Sequence, residues 1–209
     1  LAATITNLAA APANVFAETL ANNSSIVQAN EVEEENKSNK ATITKFDLYG
    51  NKLLENYNEI FKMDNSNIES ISNNGGKYAS STIDKAIDGN FQTHWETGTP
   101  NSSSFTNEVI INLKESTVLN RIVYAARPDA GGKGFAEEVE IYSSNTDDGD
   151  DFQLVATGEY KGSIRDIVEI KFHATEFKRI KFVFKKANQN WASASEFMLY
   201  KKDTLSETI

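Results

Sequence analysis

The chain contains no cysteine among its 209 residues. A disulfide framework, a thiolate metal site and a cysteine nucleophile are therefore excluded. It has only two histidines, His94 and His173, and no His-Glu-x-x-His motif, so the histidines cannot form a zinc site by themselves. No stretch approaches about 18 unbroken apolar residues, which argues against a transmembrane helix. Function must therefore be sought in oxygen-bearing and aromatic side chains.

Basic residues are also scarce, because 21 Lys and Arg stand against 30 Asp and Glu, giving a formal net charge of −9. Nucleic acids and anionic membranes both require clustered basic side chains, so we predict that the chain binds no nucleic acid and does not insert into a membrane. No residues stand in a recognisable catalytic context, which predicts that this chain is not itself an enzyme. A secreted protein without cysteine suggests a Gram-positive bacterium as the source.

The two ends of the chain differ in composition from its middle. Residues 1–17 are uncharged and rich in small apolar residues, like the end of a secretory signal peptide. Residues 18–40 contain too few apolar residues to order themselves and are predicted to be a disordered linker. The main domain is expected over 67–203, which is long enough to bury a core, with 204–209 as a tail toward a following domain.

Residues 41–66 are predicted to form a short N-terminal extension that packs against the main domain. Ile43, Phe46 and Leu48 are interpreted as part of a strand. The apolar residues of 53–61 recur at the spacing of one face of a short helix.

The main domain is predicted to consist of short strands separated by turns. Apolar residues alternate with polar ones over six segments, namely 107–113, 122–126, 139–141, 168–172, 180–184 and 197–199. Val123 and Ala125 make their strand apolar on both faces, whereas Glu138 and Glu140 make theirs polar on one. An all-β fold with two antiparallel sheets, containing both inner and outer strands, satisfies this pattern.

Two charged segments are predicted to face solvent. The acidic loop, residues 145–151, does not fit an EF-hand, because Gly149 in the sixth place would put Val155 in the twelfth. We interpret the acidic loop as a solvated hairpin turn. Residues 178–181 are interpreted as the wet face of a strand, with Ile180 pointing inward.

The segment 83–97 concentrates oxygen donors, a glycine turn and a tryptophan. Asp88, Asn90 and Thr93 offer hard oxygens around a turn that Gly89 permits, which is the chemistry of a caged calcium ion. Any remaining ligands must come from elsewhere, and Glu196, at the start of an apolar strand, is a candidate. The alternative is that residues 88–90 are only a turn and that Glu196 caps a strand edge. Trp95 is expected to be part of the core.

The spacing of Ala86, Asp88-Gly89-Asn90, Thr93 and Trp95, followed about a hundred residues later by Trp-Ala-Ser-Ala-Ser-Glu-Phe at 191–197, resembles the discoidin or coagulation factor 5/8 type C domain. Within that superfamily the chain is most similar to the family 32 carbohydrate-binding modules of secreted clostridial proteins. The resemblance implies a jelly-roll, galactose-binding-domain-like sandwich. It also implies one structural calcium ion, held by the side chains of Asp88, Thr93 and Glu196 and by backbone carbonyls near Lys85 and Asn90.

The resemblance further implies a sugar site in the loops at one end of the sandwich. The matching loops carry Glu96, Asn101, Arg127, Asp129, Asn190 and Trp191. Arg127 is the strongest candidate, and its alternative is an ion pair with Asp129 or Glu96. Many galactose binders carry an aromatic residue just before the final glutamate, where this chain has only Ala and Ser at 192–195. The ring that stacks on a sugar must therefore come from Trp191, Phe135, Tyr78 or Phe105, or be missing.

The implied function is that of a non-catalytic, calcium-stabilised carbohydrate-binding module. We expect it to be a monomeric part of a secreted or cell-surface multidomain protein, in which it brings a glycoside hydrolase or metallopeptidase to host or cell-surface glycans. Galactose- or N-acetylhexosamine-containing glycans are the expected partners. The alternative, favoured by the ringless segment 192–195, is an adhesion or spacer domain that binds protein or nothing.

Overall fold

The computed structural model of the chain describes residues 39–47, 61–128, 133–161 and 166–202. The predicted signal remnant at 1–17, nearly all of the predicted linker, most of the predicted helix over 53–61 and the tail at 204–209 lie outside the described residues. The described residues all belong to one unit that begins at Asn39.

The described residues form nine strands joined by loops and short 3₁₀ helices. The strands are β1 (Thr42–Asp47), β2 (Ile68–Asn73), β3 (Trp95–Glu96), β4 (Glu108–Ala125), β5 (Ala136–Ser144), β6 (Gln153–Glu159), β7 (Asp166–Ala187), β8 (Ser193–Ala194) and β9 (Glu196–Lys201). The 3₁₀ helices are Asn65–Asn67, Ile83–Ile87 and Asn188–Asn190.

The long strands β4 and β7 are the centre of the fold. They pair antiparallel from Glu108 opposite Val183 to Ala125 opposite Ile167. A register shift between Asn112 and Thr117 interrupts the pairing, and irregularities of this kind bend strands. On one side of the shift the strand order is β2-β4-β7-β5-β6, and on the other side β9 joins β4 and β1 joins β7. The predicted all-β antiparallel sandwich is therefore confirmed.

The main core lies between these two layers. Trp95 is fully buried, as predicted, and its Nε1 donates to the carbonyl oxygen of Gly76 at 3.1 Å. Tyr124 packs against Phe182, Phe184 and Phe197, with ring centroids 5.7–6.0 Å apart. Since β4 supplies Tyr124, β7 supplies the next two rings and β9 the last, these aromatic contacts join the two layers.

A second, smaller cluster explains why Val123 and Ala125 are apolar on the other face of β4. Both residues are buried there against Phe61, Ile167, Met198 and Tyr200. Strand β1, which the sequence places in an N-terminal extension, pairs along its length with β7. It is therefore an integral strand of the sandwich.

The structure joins segments that the sequence predicts to be separate. Residues 107–113 and 122–126 lie almost wholly within the single strand β4, and residues 168–172 and 180–184 lie within β7. The polar stretch at 114–117 looks like a turn in the sequence, yet the backbone continues through it. The sheets are therefore joined by continuous strands.

The interpretation of residues 178–181 as a wet strand face is wrong for Arg179. Ile180 is buried as predicted, but Arg179 is only 6% exposed. Its guanidinium donates to Thr146 O, Gly149 O, Ser144 Oγ, Thr146 Oγ1, Asp148 O and Asp151 Oδ1, at 2.6–3.2 Å. Its other neighbour is the ring of Phe152, whose centroid lies 4.6 Å from Cζ.

The acidic loop is therefore organised around an internal cation, although most of its surface faces solvent. Hydrogen bonds from Ser144 and Thr146 lower the pKa of Asp151, and its pairing with Arg179 acts in the same direction. Lys178 and Lys181 add contacts from the same strand to Asp147 at 3.0 Å and Asp150 at 3.7 Å. A plain solvated turn does not describe this loop, because its oxygens surround a buried guanidinium.

Candidate functional site

The loop of residues 88–93 turns sharply at Gly89, whose φ is 78°. Asp88 Oδ1 accepts a hydrogen bond from the N–H of Asn90 at 2.8 Å, and its Oδ2 accepts one from Thr93 Oγ1 at 2.7 Å. Thr93 Oγ1 also lies 2.9 Å from the carbonyl oxygen of Asn90. Carboxylate, hydroxyl and carbonyl oxygens therefore converge within one turn.

Glu196, the first residue of β9, faces the same loop. It is 1% exposed, and its Oε1 accepts a hydrogen bond from the N–H of Asn90 at 3.0 Å. Burial, followed by the neighbouring Asp88 carboxyl, raises the pKa of Glu196 from 4.5 to about 8. Ser195 holds the loop against β9, because its Oγ lies 2.8 Å from the carbonyl oxygens of both Phe91 and Thr93.

These groups fit a hard divalent cation. A buried carboxyl beside a second carboxyl needs a proton or a compensating positive charge, and carboxylate, hydroxyl and carbonyl oxygens are the ligands that Ca²⁺ prefers. Lys85, whose carbonyl is expected to contribute, lies in the 3₁₀ helix that ends just before Asp88. Across the described part of the chain, no cluster of three or more Asp, Glu or His is placed to hold a metal. The site would therefore depend on neutral oxygens as well as on Asp88 and Glu196.

Glu96 and Arg127, both predicted to contact a sugar, form an ion pair. Glu96 Oε2 lies 2.8 Å from Arg127 Nη1, and the two side chains are 9% and 10% exposed. Of the alternatives for Arg127, the structure therefore contains the ion pair with Glu96. Glu96 lies opposite Ser193 in the antiparallel β3–β8 pair, so the loop that follows β3 and the loop that precedes β8 lie near this ion pair.

The other predicted sugar contacts have different environments. Asn101 uses its amide internally, because Nδ2 donates to Phe184 O at 2.7 Å and Oδ1 accepts from the backbone N–H and the Nδ2 of Asn107 at 2.8 Å. Asn190 is exposed with a φ of 65°, and Trp191 is partly exposed. The backbone N–H of Asn101 donates to Asn190 O at 2.6 Å, which brings their loops together. Asp129 lies outside the described residues.

Comparison with protein families assigns residues 67–197 to the F5/8 type C domain. This chain belongs to the F5/8 type C family. No curated protein is similar enough to count as a match.

Three solved structures from Clostridium perfringens ZmpB are similar to this F5/8 type C domain. The first contains the CBM32-1 and CBM32-2 domains of ZmpB. It shares 62% sequence identity with this chain and covers 80% of it, with a TM-score of 0.74. The same two domains in complex with GalNAc, and a longer structure that adds the M60 catalytic domain, are each 62% identical and cover 81%, with TM-scores of 0.75. This chain covers 44%, 43% and 18% of the three structures.

The family and these neighbours make this F5/8 type C domain a non-catalytic domain of the carbohydrate-binding type. The resemblance drawn from the two end motifs is confirmed. Its motifs occupy both ends of the matched region, because residues 86–95 precede the long strands and residues 191–197 follow them.

Among the four rings considered for sugar stacking, Tyr78 is the most exposed, at 59%. Its backbone N–H donates to the carbonyl oxygen of Glu96 at 2.8 Å, so the backbone of Tyr78 lies next to that of Glu96. Phe135 is 7% exposed and therefore belongs to the core, while Phe105 and Trp191 are partly exposed. Tyr78 is the ring best placed to meet a ligand.

The Tyr124 side chain binds the backbone of two segments next to the end loops, a role that was not predicted. The fully buried hydroxyl donates to Ser193 O at 2.8 Å and accepts from the N–H of Ala136 at 3.1 Å. Burial is the main cause that raises the pKa of Tyr124, so the hydroxyl stays protonated. Its signal in the sequence is a hydroxyl-bearing ring at an inward position of an apolar strand, which requires polar partners.

Two cavities lie away from the end loops. One of about 320 Å³ has Glu140 and Lys185 in its lining, and one of about 590 Å³ is lined by residues that include Asp147 and Lys178. Within each cavity these opposite charges pair with each other, at 3.4 and 3.0 Å respectively. None of the described residues lining either cavity is aromatic. A further cavity of about 310 Å³ does include a ring, that of Tyr160, so the candidate sugar site is assigned to the end loops on the family resemblance and on the exposed Tyr78 ring. Of the helices in the described part, none combines the length and hydrophobicity needed to cross a membrane.

Proposed function

We propose that this F5/8 type C domain binds a glycan at its end loops and, without bond chemistry of its own, brings an attached secreted enzyme to host or cell-surface glycans. The observation that carries the proposal is the exposed ring of Tyr78, a residue whose backbone is hydrogen-bonded to Glu96, the partner of Arg127 in the ion pair. The C–H face of a sugar stacks on an aromatic ring, and its hydroxyls bind carboxylate and guanidinium groups. The GalNAc complex of the 62% identical relative supports a galactose- or N-acetylhexosamine-containing ligand.

The attached enzyme is the second part of this proposal. The relative that carries an M60 catalytic domain supports a metallopeptidase, and a glycoside hydrolase is the alternative. A single module with a millimolar dissociation constant gains only about 4 kcal/mol on binding, so useful retention requires repeated modules or the tethered enzyme. We propose that the domain is a monomeric unit in a multidomain protein secreted by a Gram-positive bacterium.

A glycan titration tests the sugar site directly. We expect galactose or N-acetylgalactosamine to shift the NMR signals of the end loops with a dissociation constant in the millimolar range. Tyr78→Ala and Arg127→Ala should each weaken binding. Leu154→Ala, which removes another exposed apolar side chain from β6, should not. If no sugar on a glycan array binds at high protein concentration, the proposal fails.

We also propose that one calcium ion stiffens the fold. The side chains of Asp88, Thr93 and Glu196 and the carbonyls of Lys85 and Asn90 would hold it, and the ion would supply the positive charge that the buried Glu196 carboxyl needs. At 100 times its dissociation constant, calcium would stabilise the folded state by about 2.7 kcal/mol.

Thermal melts with calcium and with chelator test the ion. The melting temperature should fall in chelator, and Asp88→Asn should abolish the response. Asp150→Asn removes an equivalent charge from the acidic loop and should preserve it. A wild-type melting temperature that is indifferent to chelator would contradict the calcium proposal while leaving the sugar proposal standing.

An adhesion or spacer role is the second candidate function. Residues 192–195 are buried and carry no ring, and the Asn101 amide is occupied by internal hydrogen bonds, so two of the expected sources of sugar contacts are absent. A blank glycan array, together with retention of a protein partner by both Tyr78→Ala and Arg127→Ala, would favour this role.

A further inference from the structure

The ion pair between Glu96 and Arg127 is held rigidly as well as tightly. The Glu96 carbonyl accepts from the N–H of Tyr78 at 2.8 Å, and its own N–H donates to Ser81 O at 3.4 Å. Glu96 is also in register with Ser193 in the β3–β8 pair. Because both backbone hydrogen bonds of Glu96 run to the segment 78–81 and its side chain is 9% exposed, the Glu96 carboxylate has little room to move away from Arg127.

This arrangement treats neutral and anionic ligands differently. The hydroxyls of a neutral sugar can donate to Glu96 and accept from Arg127 while the two charges keep each other as partners. A ligand carboxylate would instead compete with Glu96 for Arg127 and would bring two like charges together in a poorly solvated place. Juxtaposed like charges at an interface are strongly unfavourable, and a nearly buried carboxylate cannot escape into water.

We propose that Glu96 is a specificity-determining residue that restricts the sugar site to uncharged sugars and rejects the corresponding uronic acids. The inference rests on the proposed function, since it concerns the same site. It assigns to Glu96 a role beyond contact with the ligand, namely the exclusion of a class of ligand by charge.

Charges farther from the site have less effect on the selection of neutral over anionic sugars. Lys133, in a neighbouring loop, is exposed, and its carbonyl accepts from Ser193 Oγ at 3.2 Å. An exposed ammonium is screened by water and salt, so it attracts an anion much less than the nearly buried Glu96 repels one. The net charge of −9 repels anions from the whole surface, and a control variant can separate this diffuse effect from a local one.

The wild-type protein allows a first test that needs no substitution. Galacturonic acid and its methyl ester have the same ring and nearly the same shape, but only the acid is charged. Measured by NMR titration or calorimetry, with N-acetylgalactosamine as the reference sugar, the ester should bind at least about tenfold more tightly than the acid. Tenfold corresponds to about 1.4 kcal/mol. Equal affinities, or tighter binding of the acid, would overturn the proposal.

The substitution Glu96→Gln tests the residue itself. Glutamine keeps the size of the side chain and one acceptor oxygen for Arg127 but removes the charge. The ratio of the affinity for the methyl ester to the affinity for the acid should therefore fall about tenfold, toward one. Glu138→Gln, which removes one negative charge from an exposed position of β5, should leave the ratio unchanged. A ratio that changes equally in both variants would show a diffuse charge effect and refute a specific role for Glu96.

The outcomes also separate this inference from the proposed function. If the wild type binds neutral sugars but does not distinguish the ester from the acid, the inference fails and the sugar site stands. If the wild type binds no neutral sugar, the proposed function fails and the inference fails with it. Should Glu96→Gln prove unable to fold, the salt dependence of the wild-type affinity ratio decides: a ratio that persists at about 1 M salt supports a local, poorly screened charge, and a ratio that falls to one refutes the role of Glu96.

Discussion

Replacing Arg179 with alanine is expected to destabilise the domain at the acidic loop. The substitution removes a guanidinium that is 6% exposed and that contacts six oxygens. Several of those oxygens, including Asp148 O and Gly149 O, belong to exposed residues and can bind water instead. The bond to Asp151, whose side chain is 44% exposed, is left out of the estimate for the same reason.

The remaining contacts set the size of the effect. A hydrogen bond from a charged group to the buried Ser144 hydroxyl contributes about 1.5–3 kcal/mol, and stacking of the guanidinium on Phe152 contributes about 0.5–2 kcal/mol. We expect a loss of about 3 kcal/mol in the free energy of unfolding. For a domain of this size, about 2–4 °C of melting temperature corresponds to each kcal/mol, so Arg179→Ala should melt about 6–12 °C lower.

Circular dichroism melts, repeated with added guanidinium ion, measure both the loss and its cause. The alanine variant leaves a space shaped for a planar cation, so millimolar guanidinium should raise its melting temperature but not that of the wild type. Lys178→Ala is the matched control on the same strand, because Lys178 pairs with the exposed Asp147 and contributes at most about 1 kcal/mol. A variant that melts within about 2 °C of the wild type would show that the acidic loop does not depend on Arg179.

Two further predictions concern buried polar groups. In chelator, the free energy of unfolding should fall as pH rises from about 4.5 to about 8, because the raised pKa of Glu196 means that the folded state holds this proton more tightly than the unfolded state. Glu196→Gln should flatten this pH dependence. A wild-type free energy of unfolding that does not change over this pH range would contradict the prediction. Tyr124→Phe should lower the free energy of unfolding by about 1–3 kcal/mol in denaturant titrations, because Ser193 O and the N–H of Ala136 lose their buried partner. Tyr142→Phe, whose hydroxyl binds the partly exposed Glu140, should cost less than about 0.5 kcal/mol, and equal losses would argue against a special role for Tyr124.

Much of the fold could be predicted because alternation is a local property. Val109, Ile111 and Leu113 repeat with period two, and all three are buried. The continuation of β4 through residues 114–117 could not be predicted, because a polar stretch in a bent strand has the same composition as a turn. What distinguishes the two is that the flanking residues Asn112 and Thr117 both pair with β7, through partners that lie sixty or more residues away in the sequence.

Arg179 was misjudged for a related reason. The two-residue repeat of a strand correctly places the Arg179 side chain on the face opposite that of Ile180. In most outer strands that face is exposed to solvent. Here the acidic loop, about thirty residues earlier, folds over it. The pairing of β5 with β7 sets Ser144 opposite Arg179. Without knowledge of that pairing, the sequence does not reveal that the acidic loop covers Arg179.

Contacts within the end loops were harder to predict than the loops themselves. The family resemblance implied that Glu96 and Arg127 lie in loops at one end of the sandwich, and their ion pair is one of the alternatives considered for Arg127. The internal use of Asn101 depends on Asn107 and on the distant Phe184, so spacing alone could not separate a structural amide from one that is free for a ligand. The same holds for Tyr78, whose place beside Glu96 depends on one backbone hydrogen bond between loops.

The continuity of β4 and β7 has a consequence for how this domain unfolds. Because each strand contributes to both sheets, neither sheet can come apart while the other keeps its central pair intact. Unfolding should therefore be a single cooperative event without a half-folded sheet. In native-state hydrogen exchange, the amides of β4 and β7 on both sides of the shift between Asn112 and Thr117 should share one slow opening, while β2 and β6, which lie at the ends of the strand order, exchange earlier.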